Sequence, residues 1–526
     1  KKREMSNKRK VAYFYDDDIP TYYYGHEHPM KPKRIAMTHS LINHYKLYSH
    51  LYVYEPNHAT KDDLTLFHSA EYIDFLEKVS GKNTLRILDK KNPFKIGDSS
   101  DCPFFQGVYN FSQKSAGGSI DCAYMVNEGA QNICINWAGG LHHAKKNEAS
   151  GFCYINDIVL CILVLLRYHP RVLYIDIDVH HGDGVEEAFY LTNRVMTVSF
   201  HQYGKDFFPG TGHHESVGKG EGLYYSVNVP LYPGMDDASY TGLYKDVIKQ
   251  VIDKYQPNAI VLQCGADSLN EDKLGQFNLT TRGHAECVDF TLKLGIPTVV
   301  LGGGGYTIEN VARCWTNETA VALQMELDNK LPPNEYSNEY TSPYLHVERN
   351  PNVDNQNSRE YLDKVRKLTF ERLKLIEAAP GIQVSAEFPQ ELMFEDELDF
   401  MDRKREESMY KRMDEEGYDI SAKNGSQSIL VSKADSEDAG LHLGPRMMTS
   451  GFLVPRVSET SMDLEPSGLS LKIPEQTIVQ NLTDVSVQQT NVAESTTINE
   501  SAQNVNAKPD LNMSIEEESG AKSPKK

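Results

Sequence analysis

No C-x-x-C pair occurs among the eight cysteines, Cys102, Cys122, Cys134, Cys153, Cys161, Cys264, Cys287 and Cys314, and none lies in the last two hundred residues. That excludes a disulfide framework and points to a reducing, intracellular compartment. Long apolar runs are lacking too. The longest, 158–166, has nine residues, whereas a bilayer span needs about twenty. Asn156 and Asp157 precede it as helix-start signals, so it reads as a buried helix, and no membrane association is expected. An excess of positive charge is also missing. The formal net charge is −20, which argues against direct nucleic-acid binding and favours basic partners such as Lys-rich peptides. Neither a secretory signal nor an initiator Met is present, so the chain reads as processed or excerpted.

What is present is a chain of 526 residues, 40% of them apolar, enough for a substantial core. That length suits two or three average domains, although α/β folds often use more residues in one. Residues 1–10 (KKREMSNKRK) form a basic lead that reads as a solvated tail or a nuclear import signal, as does the terminal KSPKK. From about 381 onward the sequence is first acidic (EDELDFMDRKREES) and then rich in Ser, Thr, Asn and Gln with few aromatics, which predicts disorder over 381–526.

Residues 172–184 (VLYIDIDVHHGDG) stand out. A β-branched and aromatic run reads as a buried parallel strand, yet it ends in acids and histidines. Alternation along extended chain sends Asp176, Asp178 and His180 to one side. Two carboxylates buried together cost several kcal/mol unless a cation or proton neutralises them. The bland alternative is a strand end whose acids are solvated or cap the next turn.

Further strands are expected at 11–15 (VAYFY), 131–137 (QNICINW), 194–200 (RVMTVSF), 258–264 (NAIVLQC) and 297–301 (PTVVL), with helical pattern over 35–80 and a last amphipathic helix over 360–379. Strands separated by helical stretches predict an α/β fold, one open, mostly parallel sheet with helices on both faces. The unusual polar residues all follow strand carboxyl ends: His142 and His143 in AGGLHHA, the 176–183 segment, Asp267 after the 258–264 strand, and Tyr306 after GGGG. In such sheets ligands bind at that edge.

Asp178, His180 and Asp267 form a mixed N/O set that leaves a coordination position open, as catalytic zinc sites do. Fe²⁺ or Mn²⁺ suits the oxygen ligands equally. A bound cation acidifies a water and polarises a carbonyl, which suits hydrolysis. His142 and His143 are candidates for proton transfer, with Asp176 and Asp183 orienting their rings. Tyr306 is placed to donate its phenol to an oxyanion.

The motifs GLHHA (140–144), GFCYIND (151–157), YIDIDVHHGDGVEEAFY (174–190), QCGADSL (263–269) and LGGGGYT (301–307), in that order, resemble the class I zinc-dependent histone deacetylases. The resemblance runs from about residue 11 to 380 and leaves the tail open. It implies the arginase-like deacetylase fold, Zn²⁺ on Asp178, His180 and Asp267, and hydrolysis of Nε-acetyl-lysine in histone tails and other nuclear proteins. In that pattern His143 is the general base and acid, His142 its electrostatic partner, Asp176 and Asp183 their carboxylates, and Tyr306 the oxyanion donor. Gly151, Phe152 and Phe208 would line a tube for the lysine stem, with Leu274 at its rim. Asp101 would hold the substrate backbone, and Arg34 would lie by an acetate exit. Structural K⁺ would fall on Asp176, Asp178, His180, Ser199 and Phe200, and a second on Phe189, Thr192, Val195 and Tyr225. Corepressor partners and a nuclear location follow from the same resemblance.

One departure is informative. Where class I members bind an inositol phosphate on a basic rim, this chain has Tyr23, Glu27, Lys31, Lys273 and Glu309. Only Lys31 is retained, Lys273 lacks the bidentate fork, and two carboxylates stand where phosphate would sit, so that site is expected to be degraded. Ala266, where the pattern usually has Ser, has no effect derivable from sequence. Alternatives from the same residues are a small-amine amidohydrolase, a two-metal ureohydrolase, and a scaffold that keeps the fold with marginal activity.

Overall fold

The computed structural model describes residues 9–80, 92–97, 101–204 and 206–376. The basic lead up to residue 8 and the 381–526 tail lie outside the described residues. In chain order the elements are β1 (Val11–Phe14), α1 (Lys33–His44), β2 (Tyr52–Tyr54), α2 (Lys61–Thr65), α3 (Ala70–Val79), α4 (Val108–Asn127) and β3 (Ile133–Asn136). There follow α5 (Asp157–Leu165), β4 (Val172–Asp176), α6 (Asp183–Phe189), β5 (Val195–Gln202), β6 (Ser226–Leu231) and α7 (Asp237–Tyr255). The last are β7 (Ala259–Gln263), α8 (Thr281–Leu292), β8 (Thr298–Leu301), α9 (Ile308–Ala322) and α10 (Arg359–Leu373).

Among the described residues, eight strands form one sheet in the order β2-β1-β3-β8-β7-β4-β5-β6, and every neighbouring pair is parallel. Parallel strands need crossovers, and the helices supply them, packed as two groups: α2 to α6 in succession, and α1, α9, α8, α7 and α10. The strands between them, apart from β2, are buried along their whole length, as a sheet covered on both faces requires. The open parallel α/β architecture read from the sequence is borne out.

Two strands differ from expectation. β2 is three residues long at one edge, and its partly exposed Tyr-Val-Tyr sits inside a region that reads as helical. β6 contains Pro230, which weakens a strand reading, but β6 is the opposite edge, where proline leaves no ladder bond unmade. The final helix ends at Leu373 instead of 379; its buried Val365, Thr369 and Leu373 pack it on α7 and β6 as part of the core.

α5 confirms the reading of the apolar run: it starts where the Asn156 side chain accepts the Val159 N–H, and eight of its nine residues are buried. The eight cysteines are all free and buried. Among the described residues no helix is long and apolar enough to cross a membrane.

One register row crosses the sheet at its carboxyl edge: Tyr54, Phe14, Asn136, Leu301, Gln263, Asp176, Ser199 and Asn228. The central strands β3, β8, β7 and β4 are therefore adjacent and end level. Their following loops carry His142 and His143, Tyr306, Asp267, and Asp178 with His180, so strand order delivers four sequence segments to one crevice.

Candidate active site

The loop after β3 is fastened from behind by the start of α5. The Asp157 carboxylate, fully buried, accepts N–H groups from Gly140 (2.9 Å) and Leu141 (2.8 Å) and the Ser119 hydroxyl (2.5 Å). Asn156 donates its amide to the carbonyls of Ala144 (3.0 Å) and His142 (3.3 Å). Adjacent helix-start residues thus hold both sides of the His142–His143 pair.

Beyond β4 the chain leaves the extended conformation, and alternation alone does not carry His180 to the site. Successive carboxylates instead accept the N–H two residues on, Asp176 from Asp178 (3.1 Å) and Asp178 from His180 (3.0 Å). His180 Nδ1 comes to 3.1 Å from both Asp178 Oδ1 and Asp267 Oδ2. One donor atom from each of the three lies within 4.8 Å of the others, and all three residues are buried. Burial and the neighbouring Asp178 charge push the Asp267 carboxyl above the usual carboxylate range. Two buried carboxylates and an imidazole, converging this closely, fit a divalent cation that would remove the repulsion. Gln263 Nε2 (2.9 Å) and the Gly304 N–H (2.8 Å) donate to Asp178, and the Val179 N–H (2.9 Å) donates to Asp267, fixing the carboxylates' aim. A Cβ on Gly304 would stand 2.0 Å from Asp267 Oδ2, so only glycine permits this approach.

His142 Nδ1 lies 2.8 Å from Asp176, which also accepts the Tyr174 hydroxyl at 2.6 Å. His143 Nδ1 lies 2.7 Å from Asp183. The two rings are 3.9 Å apart, too close for both to be cationic. Burial pulls His142 down, but Asp176 and Asp178 outweigh it and hold this imidazole up at about 9. Burial and the His142 charge lower His143 to about 3. The two shifts run in opposite directions, so His142 favours its charged form and His143 its neutral form, and an Nδ1–H held by Asp183 would leave the His143 Nε2 as the lone-pair nitrogen.

Tyr306 ends the glycine turn. Burial, then the Asp267 and Asp178 charges, keep its phenol well above the usual value, so it stays a proton donor. Arg34 on α1 braces the turn, donating to the carbonyls of Gly303 and Gly305 at 2.6 Å each, with its guanidinium 5.1 Å from the Trp315 ring.

The histone deacetylase domain, as a family, matches residues 28–322, more than half of the chain. This chain belongs to the histone deacetylase family. It is 52% identical over 416 residues to the Drosophila melanogaster protein named histone deacetylase HDAC1, covering 78% of this chain and 79% of that one. It is 54% identical over 383 residues to histone deacetylase 1 of Homo sapiens and of Bos taurus, covering 73% of this chain and 79% of each. The class I resemblance read from the motifs is borne out.

In this histone deacetylase two aromatic rings border the site. Phe208, 42% exposed, meets His143 edge-on at 4.9 Å, and Phe152 meets Tyr306 edge-on at 5.5 Å. Phe152 adopts φ +68°, where side chains are rarely found, and its carbonyl accepts the Tyr24 hydroxyl at 3.2 Å. A Cβ on the preceding Gly151 would stand 2.4 Å from the His143 ring. Asp101 accepts the Gly151 N–H at 2.7 Å, and its carbonyl meets His28 Nε2 at 3.2 Å. Leu274 is half-buried on the loop after Asp267.

Of the residues expected around potassium, Asp176 and Ser199 are register partners, with Phe200 next in β5. The other set lies towards the start of β5. There the Phe189 carbonyl accepts the Thr192 N–H at 3.2 Å and the Tyr225 carbonyl the Thr197 N–H at 3.0 Å, while Val195 opens the strand. On the rim, Lys31 spends its ammonium on the carbonyls of Gly25 and His26 at 2.8 Å each, 5.3 Å from the Tyr23 ring. Glu309 accepts the Thr341 N–H (2.5 Å) and hydroxyl (2.8 Å) and lies 3.6 Å from Arg313.

Several functional side chains escaped the sequence reading. Phe207 stacks on His180 at 5.1 Å and 8°. Lys145 places its ammonium 2.7 Å from Asp183. Asp272 accepts the Tyr306 N–H at 2.7 Å. Asn156 and Asp157 were legible only as a helix start. Lys145 and Asp272 carry no signal beyond proximity to a motif.

Proposed function

We propose that this protein removes acetyl groups from Nε-acetyl-lysine in histone tails and other nuclear proteins, releasing lysine and acetate and thereby repressing transcription. The observation that carries the reading is the convergence of a buried Asp178–His180–Asp267 trio with two His–Asp pairs, His142 on Asp176 at 2.8 Å and His143 on Asp183 at 2.7 Å. Zn²⁺ is the proposed ion on that trio, a donor set that suits Fe²⁺ as well. When bound, it supplies carbonyl polarisation and a water of lowered pKa.

The chain's own groups account for the rest. His143, oriented by Asp183, takes a proton from the attacking water and returns it to the departing lysine amine. His142, kept charged by Asp176, lowers the energy of negative charge forming beside it. Tyr306 donates its hydroxyl to the carbonyl oxygen as the carbon becomes tetrahedral. Gly151, Phe152 and Phe208 receive the butyl stem, whose burial is worth ~0.8 kcal/mol per methylene, with Leu274 at the rim. Asp101 holds the substrate backbone, and Arg34 stands on the acetate's way out.

We also assign the catalytic domain to 11–380, structural K⁺ to the two residue sets named above, and a nuclear location with corepressor proteins as partners. The inositol phosphate rim is read as degraded: Lys31 is occupied by backbone carbonyls and Glu309 is held by Thr341 and Arg313. Metal analysis of the purified full chain, with an acetyl-lysine peptide assay before and after chelation, tests the core of the proposal. Activity lost to chelator and recovered with Zn²⁺ is expected; full activity in metal-free protein refutes it. Turnover on acetylpolyamine exceeding that on histone peptide would instead favour a small-amine amidohydrolase.

A further inference from the structure

Tyr306 sits at the end of a turn with little stiffness of its own, since Gly303 and Gly305 have φ +148° and +124°. The helix that follows does not secure it either. Thr307, at the N-cap of α9, makes no side-chain capping bond and sends its hydroxyl to the Glu271 carbonyl at 2.7 Å. The missing acceptor comes from a different loop. Asp272 Oδ2 accepts the N–H groups of Tyr306 (2.7 Å) and Thr307 (3.2 Å), while its Oδ1 accepts those of Leu274 (2.9 Å) and Gly275 (3.3 Å).

One carboxylate thus joins two loops by four backbone hydrogen bonds. One loop carries the phenol and the other the rim residue Leu274. A carboxylate at the entry of a helix is favoured by the helix dipole, and a charged acceptor makes each bond stronger than a neutral one. Arg34 fixes only the carbonyls of the glycine turn, so the Tyr306 N–H depends on Asp272 for its direction.

We infer that Asp272 is a positioning residue that sets the reach of the Tyr306 hydroxyl and ties it to the rim segment 273–275. This rests on the reading of Tyr306 as donor to the developing oxyanion. Asp272 is partly solvent-exposed, and its four bonds run to backbone N–H groups of the two loops.

Steady-state kinetics of the full chain on an acetyl-lysine peptide tests this. Asp272→Ala is expected to lower kcat about 10- to 100-fold with KM within about twofold, the cost of misplacing one oxyanion donor. In a Tyr306→Phe background the same substitution is expected to change kcat less than about twofold, because the hydroxyl it positions is gone. If Asp272→Ala yields no folded protein, Asp272→Asn, which keeps the shape and one acceptor oxygen, carries the same double-variant comparison. Parental kcat in the single variant, or an equal loss in both backgrounds, overturns the inference while leaving the role of Tyr306 standing. Parental turnover in Tyr306→Phe alone overturns that role, and the inference with it.

Discussion

Lys145 Nζ lies 2.7 Å from Asp183 Oδ2, and His143 Nδ1 lies 2.7 Å from the same carboxylate's other oxygen. Asp183 is therefore shared between the Lys145 side chain and the proposed base. Although burial works against it, His143 and Lys145 together keep this carboxyl well below the usual carboxylate range. Part of its charge is already compensated before His143 takes up a proton, which helps keep that imidazole neutral.

Replacing Lys145 with Met removes the compensation, and Asp183 then favours the imidazolium more strongly. The acidic limb of the kcat/KM profile is expected to move to higher pH, with turnover at neutrality little changed. The profile of Lys145→Met against the parent checks it, and an unmoved limb would show that Lys145 serves only the exposed Glu187, 3.2 Å away.

Asp157 should matter to stability as much as to activity. Ala at this position leaves the Gly140 and Leu141 N–H groups and the Ser119 hydroxyl without an acceptor in a fully buried site. The expected loss is on the order of 3 kcal/mol, read as a lower denaturant midpoint. Turnover should fall further than unfolding explains, because the loop bearing His142 and His143 loses its anchor.

The contrast between Asp178 and Asp272 shows what sequence can hold. Asp178 stands in an apolar run where a charge is anomalous, so the anomaly itself is a signal. Asp272 stands in a polar loop where an acid is ordinary, and its importance comes from Tyr306, thirty-four positions away, being folded against it. Strand order has the same character. β3 and β4 follow one another in the chain, yet β8 and β7 lie between them in the sheet, and no local pattern encodes that. Local residues do identify strand ends rich in chemistry, which is why the four loops and their meeting at the carboxyl edge were legible while the strand order that sets them side by side was not. β2 and β6 were lost because a three-residue exposed edge and a proline erase the period-two and β-branched signals.

The rim makes a binding prediction. Titrating inositol hexakisphosphate into the protein is expected to give no saturable heat, since Glu27 and Glu309 repel phosphate and Lys31 is committed to the Gly25 and His26 carbonyls. Glu309→Gln removes one negative charge while keeping an acceptor for Thr341, and should raise affinity relative to the parent. A tight isotherm for the parent would sink this reading.

His68 links acid sensitivity to the same loop. It is 2% exposed, and its Nε2 accepts the N–H of Asn156, the residue that holds the His142 and Ala144 carbonyls. That bond needs a neutral ring, and burial lowers its pKa from 6.5 to about 4. Below pH 6.5 the unfolded chain binds a proton that the folded chain refuses, so stability present above 6.5 drains away as pH falls toward 4. The full loss is roughly 3 kcal/mol. His39, also lowered to about 4 by burial, adds a second contribution of the same sign. Thermal midpoints from pH 7 to 4 should therefore fall less steeply in His68→Gln than in the parent, with the His39 part of the slope remaining. Identical slopes would mean that the His68 ring takes up its proton without leaving Asn156.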